Sequence, residues 1–163
     1  MKKRIKYYWI VISLLALTSC TSDDSSADTT ANLDAQVQEV ENLMTTGGWS
    51  IMSYIDSGVD ETDDFAGYTF TFNADGSLLA DNGSNQIEGS WSVTGDDSSD
   101  SSSDDSMDDD SDDIDFNIFF ASPDRFTELT DDWDIVSFTD NRIELIDISG
   151  GDGSTDRLIF VSN

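Results

Sequence analysis

The sequence predicts an all-β fold, an eight-stranded antiparallel up-and-down barrel preceded by a short N-terminal helix. Three observations predict it. Across residues 49–161 apolar side chains recur with a period of two, the alternation of strands with one buried face. The runs are separated by turns such as Asn73-Ala74-Asp75-Gly76 and Asp81-Asn82-Gly83-Ser84, whose residues supply the backbone conformations of hairpins. The links between runs are too short for the crossovers that parallel strands need. Closure into a barrel follows because eight sequential strands with aromatic inner faces would otherwise leave two exposed edges. A β-sandwich is the alternative.

Taken in order, residues 32–44 read as a helix, because Leu33, Val37, Val40 and Met44 fall three and four apart and line one face. Asn32 serves as N-cap, and Gly47-Gly48 stops the helix. A stripe this short plugs or flanks a core. Trp49, Ile51, Ser53 and Ile55 share a face of the first strand. Tyr68, Phe70 and Phe72 alternate with Thr69 and Thr71; Leu78 and Ala80 follow on the return strand. Ile87, Gly89, Trp91 and Val93 form the next inward set, and Ile114, Phe116, Ile118 and Phe120 the one after. Pro123 interrupts the chain before the strand at 133–138. The last two strands are 142–148 and 157–161, with a bulge expected between Leu145 and Ile146, where apolar residues change face. Tyr68, Phe70, Phe72, Ile87, Trp91, Phe116 and Ile118 are expected to point inward together.

One segment breaks the alternation. Residues 95–113 contain ten Asp and seven Ser in 19 positions, too polar and too self-repelling to bury a core, and are expected to be a disordered insertion. Asp108, Asp110 and Asp112 imitate the first ligands of an EF-hand loop, but Asp113 stands where the loop needs Gly and Phe119 where it needs Glu. Diffuse counter-ion attraction is the expected behaviour, and no metal site is assigned. Gly151-Asp152-Gly153 is read first as a turn and only a distant second as a metal site.

The N-terminus has a different character. Lys2, Lys3, Arg4 and Lys6 precede a short apolar run and then Leu17-Thr18-Ser19-Cys20, the layout of a secretory signal peptide. The run is shorter than the roughly 20 residues that span a bilayer. Its ending resembles the lipobox of bacterial lipoproteins, which implies a signal peptide at 1–19 and lipidation of Cys20, the sole cysteine. Residues 20–31 are expected to be a flexible acidic tether, and residues 32–163 the barrel domain. Thr21-Ser22-Asp23-Asp24 is similar to the acidic export tag of surface-exposed lipoproteins in some Gram-negative bacteria, which implies an outer-membrane lipoprotein exposed at the cell surface.

Beyond Cys20 the chain carries three arginines, no lysine and all 35 acidic residues, a net charge of −32. That excludes a nucleic-acid groove and argues against lying flat on anionic lipid, so membrane attachment falls to the acyl chains. With no histidine and one cysteine, Cys/His zinc sites, Ser-His-Asp triads and internal disulfides are excluded. Carboxylate pairs are the remaining acid–base groups, and nothing in the sequence orders two of them into a cleft. A non-enzymatic monomer without a cofactor is expected.

The barrel portion resembles the small lipocalin-like lipoproteins of bacteria. The residues that carry the resemblance are the short amphipathic helix, Gly47-Gly48-Trp49, residues 68–76, and a second Gly-x-Trp at Gly89-Ser90-Trp91. Leu129-Thr130-Asp131-Asp132-Trp133 and Arg142-Ile143-Glu144-Leu145 complete it. The resemblance implies a binding module and an arginine, Arg142 or Arg157, stacked on Trp49 at one barrel end. Trp49, Tyr68, Phe70, Phe72, Trp91, Phe116 and Trp133 are the candidate ligand-or-core residues, with core favoured because eight strands leave room only for side chains. Two classes stay open: a carrier of a small apolar or glycan ligand, and an interaction lipoprotein with a solid barrel.

Overall fold

Antiparallel pairing runs unbroken around the molecule and returns to its starting strand. The structure, a computed structural model, describes residues 25–96, 113–148 and 154–163. The signal segment, Cys20, the first part of the tether, residues 97–112 with the EF-hand-like aspartates, and Gly151-Asp152-Gly153 lie outside them. Helix α1 (Ser25–Met44) leads into β1 (Trp49–Asp56), whose end folds back as the two-residue β2 (Val59–Asp60). A 3-10 turn at Thr62–Phe65 precedes β3 (Thr69–Phe72), β4 (Ser77–Asp81), β5 (Gln86–Asp96) and β6 (Asp113–Phe120). The single-turn helix α2 (Asp124–Thr127) separates these from β7 (Asp131–Thr139), β8 (Arg142–Ile148) and β9 (Thr155–Ser162). The ladder order is β1-β3-β4-β5-β6-β7-β8-β9, closed by β1 against β9. This is the eight-stranded up-and-down barrel, with β2 an appendage of β1.

Register places the expected inward set together. Phe70 lies opposite Ala80, and Phe72 opposite Leu78; Leu78 opposes Gly89; Trp91 opposes Ile118 and Val93 opposes Phe116. Tyr68, Phe70, Phe72, Trp91, Phe116 and Ile118 are all buried, and Ile87 packs half-buried against them. Gly89 is inward-facing for a steric reason. A Cβ there would stand 2.5 Å from the Phe119 carbonyl oxygen and 2.7 Å from the Phe120 ring, so the missing side chain is the space that Phe120 fills.

Helix α1 covers the barrel end from which β1 starts. Leu33, Val40 and Met44 are buried, with Val37 and Leu43 half-buried beside them. Leu33 packs so closely on β5 that a Cβ on Gly95 would come within 2.5 Å of it. At the opposite end the 3-10 turn and α2 contribute Phe65, Phe126 and Leu129, all buried. Both ends are thus capped by side chains.

Four expectations are corrected. Helix α1 starts at Ser25, earlier than Asn32, and takes in part of the expected tether; the residues between hold no Gly or Pro, so nothing ends the helix there. Gly95, Asp96 and Asp113 belong to the β5–β6 ladder, which runs out to Asp96 opposite Asp113, so the strands are longer than their apolar alternation. The inward face of β1 is not Ser53 and Ile55. A register shift between Ile51 and Ser53 adds a residue, leaves Met52 exposed and turns Tyr54 inward. The later bulge lies on β7, between Ile135 and Ser137, whereas β8 pairs with β9 through Leu145 and Ile146 without a shift. Ile146 sits on the outer face, so its apolarity marks no change of register.

Gly89→Ala is expected to destabilise the barrel by about 1–3 kcal/mol, as overpacked cores do. Chemical denaturation of the variant beside Gly83→Ala, whose position has open space but positive φ, checks that the cost is steric rather than conformational: the Gly89 variant should also disturb the Phe120 ring resonances.

Candidate functional site

The aromatic interior of the barrel is occupied by its own side chains. Trp91 meets Phe72 at 5.2 Å between ring centroids, Phe72 meets Phe160 at 5.5 Å, and Phe160 meets Phe70 at 5.3 Å. The series continues through Phe126 and Phe65 to Tyr54 and Trp133. Most of these pairs are edge-to-face, the arrangement that aromatic quadrupoles favour. Trp49, Phe70, Phe72, Phe116 and Trp133 are at most 1 % exposed, Tyr68 3 % and Trp91 7 %. The indole N–H groups are spent on backbone: Trp49 donates to the Met44 carbonyl, Trp91 to that of Asn73 and Trp133 to that of Leu129. All seven candidate residues are therefore core.

The arginines lie elsewhere than the resemblance implied. Arg142 and Arg157 do not stack on Trp49; both pair with Glu144 on the outer wall. The Arg142 hydrogen bond is the leading cause that holds the Glu144 carboxyl below its ordinary range. The arginine that does stack is Arg125. Its guanidinium sits 5.4 Å from the Tyr68 ring centroid and 5.5 Å from that of Phe126, and donates to the Tyr68 hydroxyl at 2.8 Å. It covers the end capped by α2. No sequence spacing links Arg125 to Tyr68, and only the closed ladder brings them together.

Carboxylates gather at that same end. Burial, then Glu128 and Asp56, push the Glu61 carboxyl up, and its Oε2 is enclosed without a hydrogen-bond partner. Asp131, at the start of β7, is pushed up to about 6, chiefly by burial and then by the Asp132 side chain and Asp147. Tyr54 is raised by burial and by Asp56 and Asp156, while its hydroxyl donates to the Glu128 carbonyl at 2.9 Å.

Among the described residues, concavities open on the outside. One, about 680 Å³, lies on the outer wall where β5, β6 and the start of β7 meet. It is lined by Ser90, Ser92, Thr94, Asn117, Phe119 and Thr130–Asp132 with Trp91 and Ile118. A second, about 340 Å³, runs between Gln36 of α1 and Ile114, Ile135, Val136 and Phe138 at the helix-capped end. The third, about 240 Å³, lies between Glu41 and Thr45 of α1 and the Asn73–Gly76 turn. The wall concavity exists because the β6–β7 ladder stops at Ile118 opposite Asp131. Beyond it the strands diverge, bridged by the Thr130 hydroxyl, which accepts from the Phe120 amide and donates to the Phe120 carbonyl.

What the ladder and these surfaces define is a closed β-barrel protein with a solid aromatic interior. No family model matches the chain, and no curated protein matches it. Among solved structures it is similar to a DUF4847 family protein from Bacteroides vulgatus ATCC 8482, at 17 % identity and a TM-score of 0.46, covering 76 % of this chain and 97 % of that one.

Two outcomes follow from this geometry. Trp91→Ala is expected to cost about 3–5 kcal/mol in denaturant unfolding, the loss for a large buried ring. The second concerns pH. Asp131 has a folded-state pKa above its ordinary value of 3.8, so the folded state takes up this proton first and the contribution of Asp131 to stability rises as pH falls from about 7 towards 4. Asp131→Asn is expected to be more stable than the parent at pH 7, the difference closing by about pH 4. Thermal melts of both proteins across that range provide the check.

Proposed function

We propose that the chain is a cell-envelope lipoprotein, lipid-anchored through Cys20, that serves as a non-catalytic binding or interaction module of lipocalin-like type. The observation that carries the module reading is the filled interior. A barrel whose central volume is taken by Phe70, Phe72, Phe116, Phe160 and Trp133 meets other molecules with its outer wall and ends. This favours the solid interaction barrel over a carrier with an open central pocket. The anchor reading is supported by the basic start, the short apolar run and Leu17-Thr18-Ser19-Cys20. No helix among the described residues is long and apolar enough to cross a membrane. The acidic Thr21-Ser22-Asp23-Asp24 supports placement on the outer face of the outer membrane.

The non-catalytic part of the reading rests on inventory: the chain has no histidine, and its one cysteine is assigned to the lipid. The carboxylates with raised pKa values stand among other carboxylates at a barrel end, and no basic group among the described residues is placed to exchange a proton with them.

Cys20→Ala is expected to abolish incorporation of a labelled fatty acid and to release the protein from the envelope fraction. Label retained on the variant would overturn the anchor. Protease added to intact cells should cleave the wild-type chain if the outer-face placement is right.

A further inference from the structure

We infer that the concavity on the outer wall, between β5, β6 and the start of β7, binds a neutral sugar ring with Phe119 as its stacking platform. The inference rests on the module reading above and names the ligand class for that outer surface. Phe119 is 54 % exposed, an aromatic ring held in water at the edge of a concavity that hydroxyls, an amide and carboxylates line together with Trp91 and Ile118. Most of the chain's aromatic residues past the anchor are buried, so an outward phenylalanine in this one place stands out.

The ladder register arranges the groove chemically. Ser90 lies opposite Phe119, and Ser92 opposite Asn117; Asn117 in turn lies opposite Asp132. One row therefore carries a hydroxyl beside the ring. The next carries a hydroxyl, a carboxamide and a carboxylate in a line. The rows are two residues apart along the strands, about 7 Å, comparable to the width of a pyranose. A sugar ring offers an apolar C–H face and an equatorial fringe of hydroxyls. The first matches an exposed aromatic ring, and the second needs donors and acceptors together. Asn117 supplies both: its Nδ2 already donates to the Thr94 hydroxyl at 3.1 Å, which orients the carboxamide along the groove. Asp132 supplies acceptors.

Charge selects within the class. Asp131 and Asp132 line the groove and no arginine does, on a chain that carries −32 beyond its anchor. An anionic sugar is repelled at such a surface. A lipid chain is disfavoured for a different reason, because the lining mixes polar and apolar groups and offers an acyl tail only a small apolar area to bury.

The test uses the full-length chain carrying Cys20→Ala, so that it is independent of the lipid, with native protein in detergent alongside. Maltotriose and triacetylchitotriose serve as neutral probes at millimolar concentration, and trigalacturonate as the anionic control, each followed by amide shifts in two-dimensional NMR. The expected result is saturable shifts at Ser92, Asn117 and Phe119 with at least one neutral trisaccharide and none with trigalacturonate. Phe119→Ala, on the surface and expected to leave the fold intact, should weaken binding by about tenfold, and Asn117→Ala should weaken it as well. Absence of groove shifts with both neutral sugars would overturn the proposal, as would shifts that survive Phe119→Ala unchanged or that appear equally with trigalacturonate. Fatty-acid labelling of the wild-type chain reads the anchor separately, so failure of the groove and failure of the lipoprotein reading are distinguishable.

Discussion

Trp49 is the point on which the closed barrel depends. Its backbone pairs with Phe70 of β3 on one side and Ser162 of β9 on the other, so one residue joins the beginning, the middle and the end of the chain. Its indole donates to the Met44 carbonyl at 3.0 Å, taking up one of the carbonyls that the end of a helix leaves unsatisfied. The two Gly before it make the turn that brings these partners together. Gly47 has positive φ, and Gly48 lies where a Cβ would meet the Thr69 methyl at 2.6 Å. Helix plug, barrel seam and chain terminus are thus fastened at one ring with no accessible surface.

The seam is asymmetric, and the rest of the molecule compensates. β1 pairs with β9 at six positions but with β3 only at Trp49. Past that point β1 turns its free side to β2 and the 3-10 turn, where the Tyr54 amide donates to the Thr62 hydroxyl at 2.9 Å. Phe65 fills the gap behind it, edge-on to Tyr54 and to Phe126. A short strand pairing is therefore backed by aromatic packing. The end capped by α2 is where the Glu61 and Asp131 carboxyls are held above their ordinary pKa values, because it combines burial with neighbouring carboxylates on a chain that supplies only three cations past Cys20.

The surplus negative charge and the solid core together support the proposal that the outer surface carries the function. Of the three arginines past Cys20, two are committed to Glu144 and the third lies over Tyr68 and Phe126. The outer wall is then polar, acidic and short of cations, with Phe119 as its exposed aromatic. On the reading proposed above, such a surface would recognise by shape and hydrogen bonding rather than by long-range attraction of anions.

Period-two alternation and hairpin chemistry were enough to determine the eight strands, their antiparallel order and most of the core, because strand geometry forces alternate side chains to one face. Phe70, Phe72, Trp91 and Phe116 were legible for that reason. The Lys/Arg start and Leu17–Cys20 likewise belong to the one-dimensional record. Tertiary structure alone decided the rest. The added residue at Met52 inverts the face of β1 after Ile51, and the β7 shift at Val136 replaces a bulge that Ile146 suggested; both are matters of pairing, which a single strand's pattern does not contain. The wall concavity was illegible for a similar reason: Ser92, Asn117 and Asp132 are ordinary outward polar residues in sequence. They become neighbours only through the register of three strands, and Phe119 becomes the edge of a groove only because β6 and β7 part after Ile118.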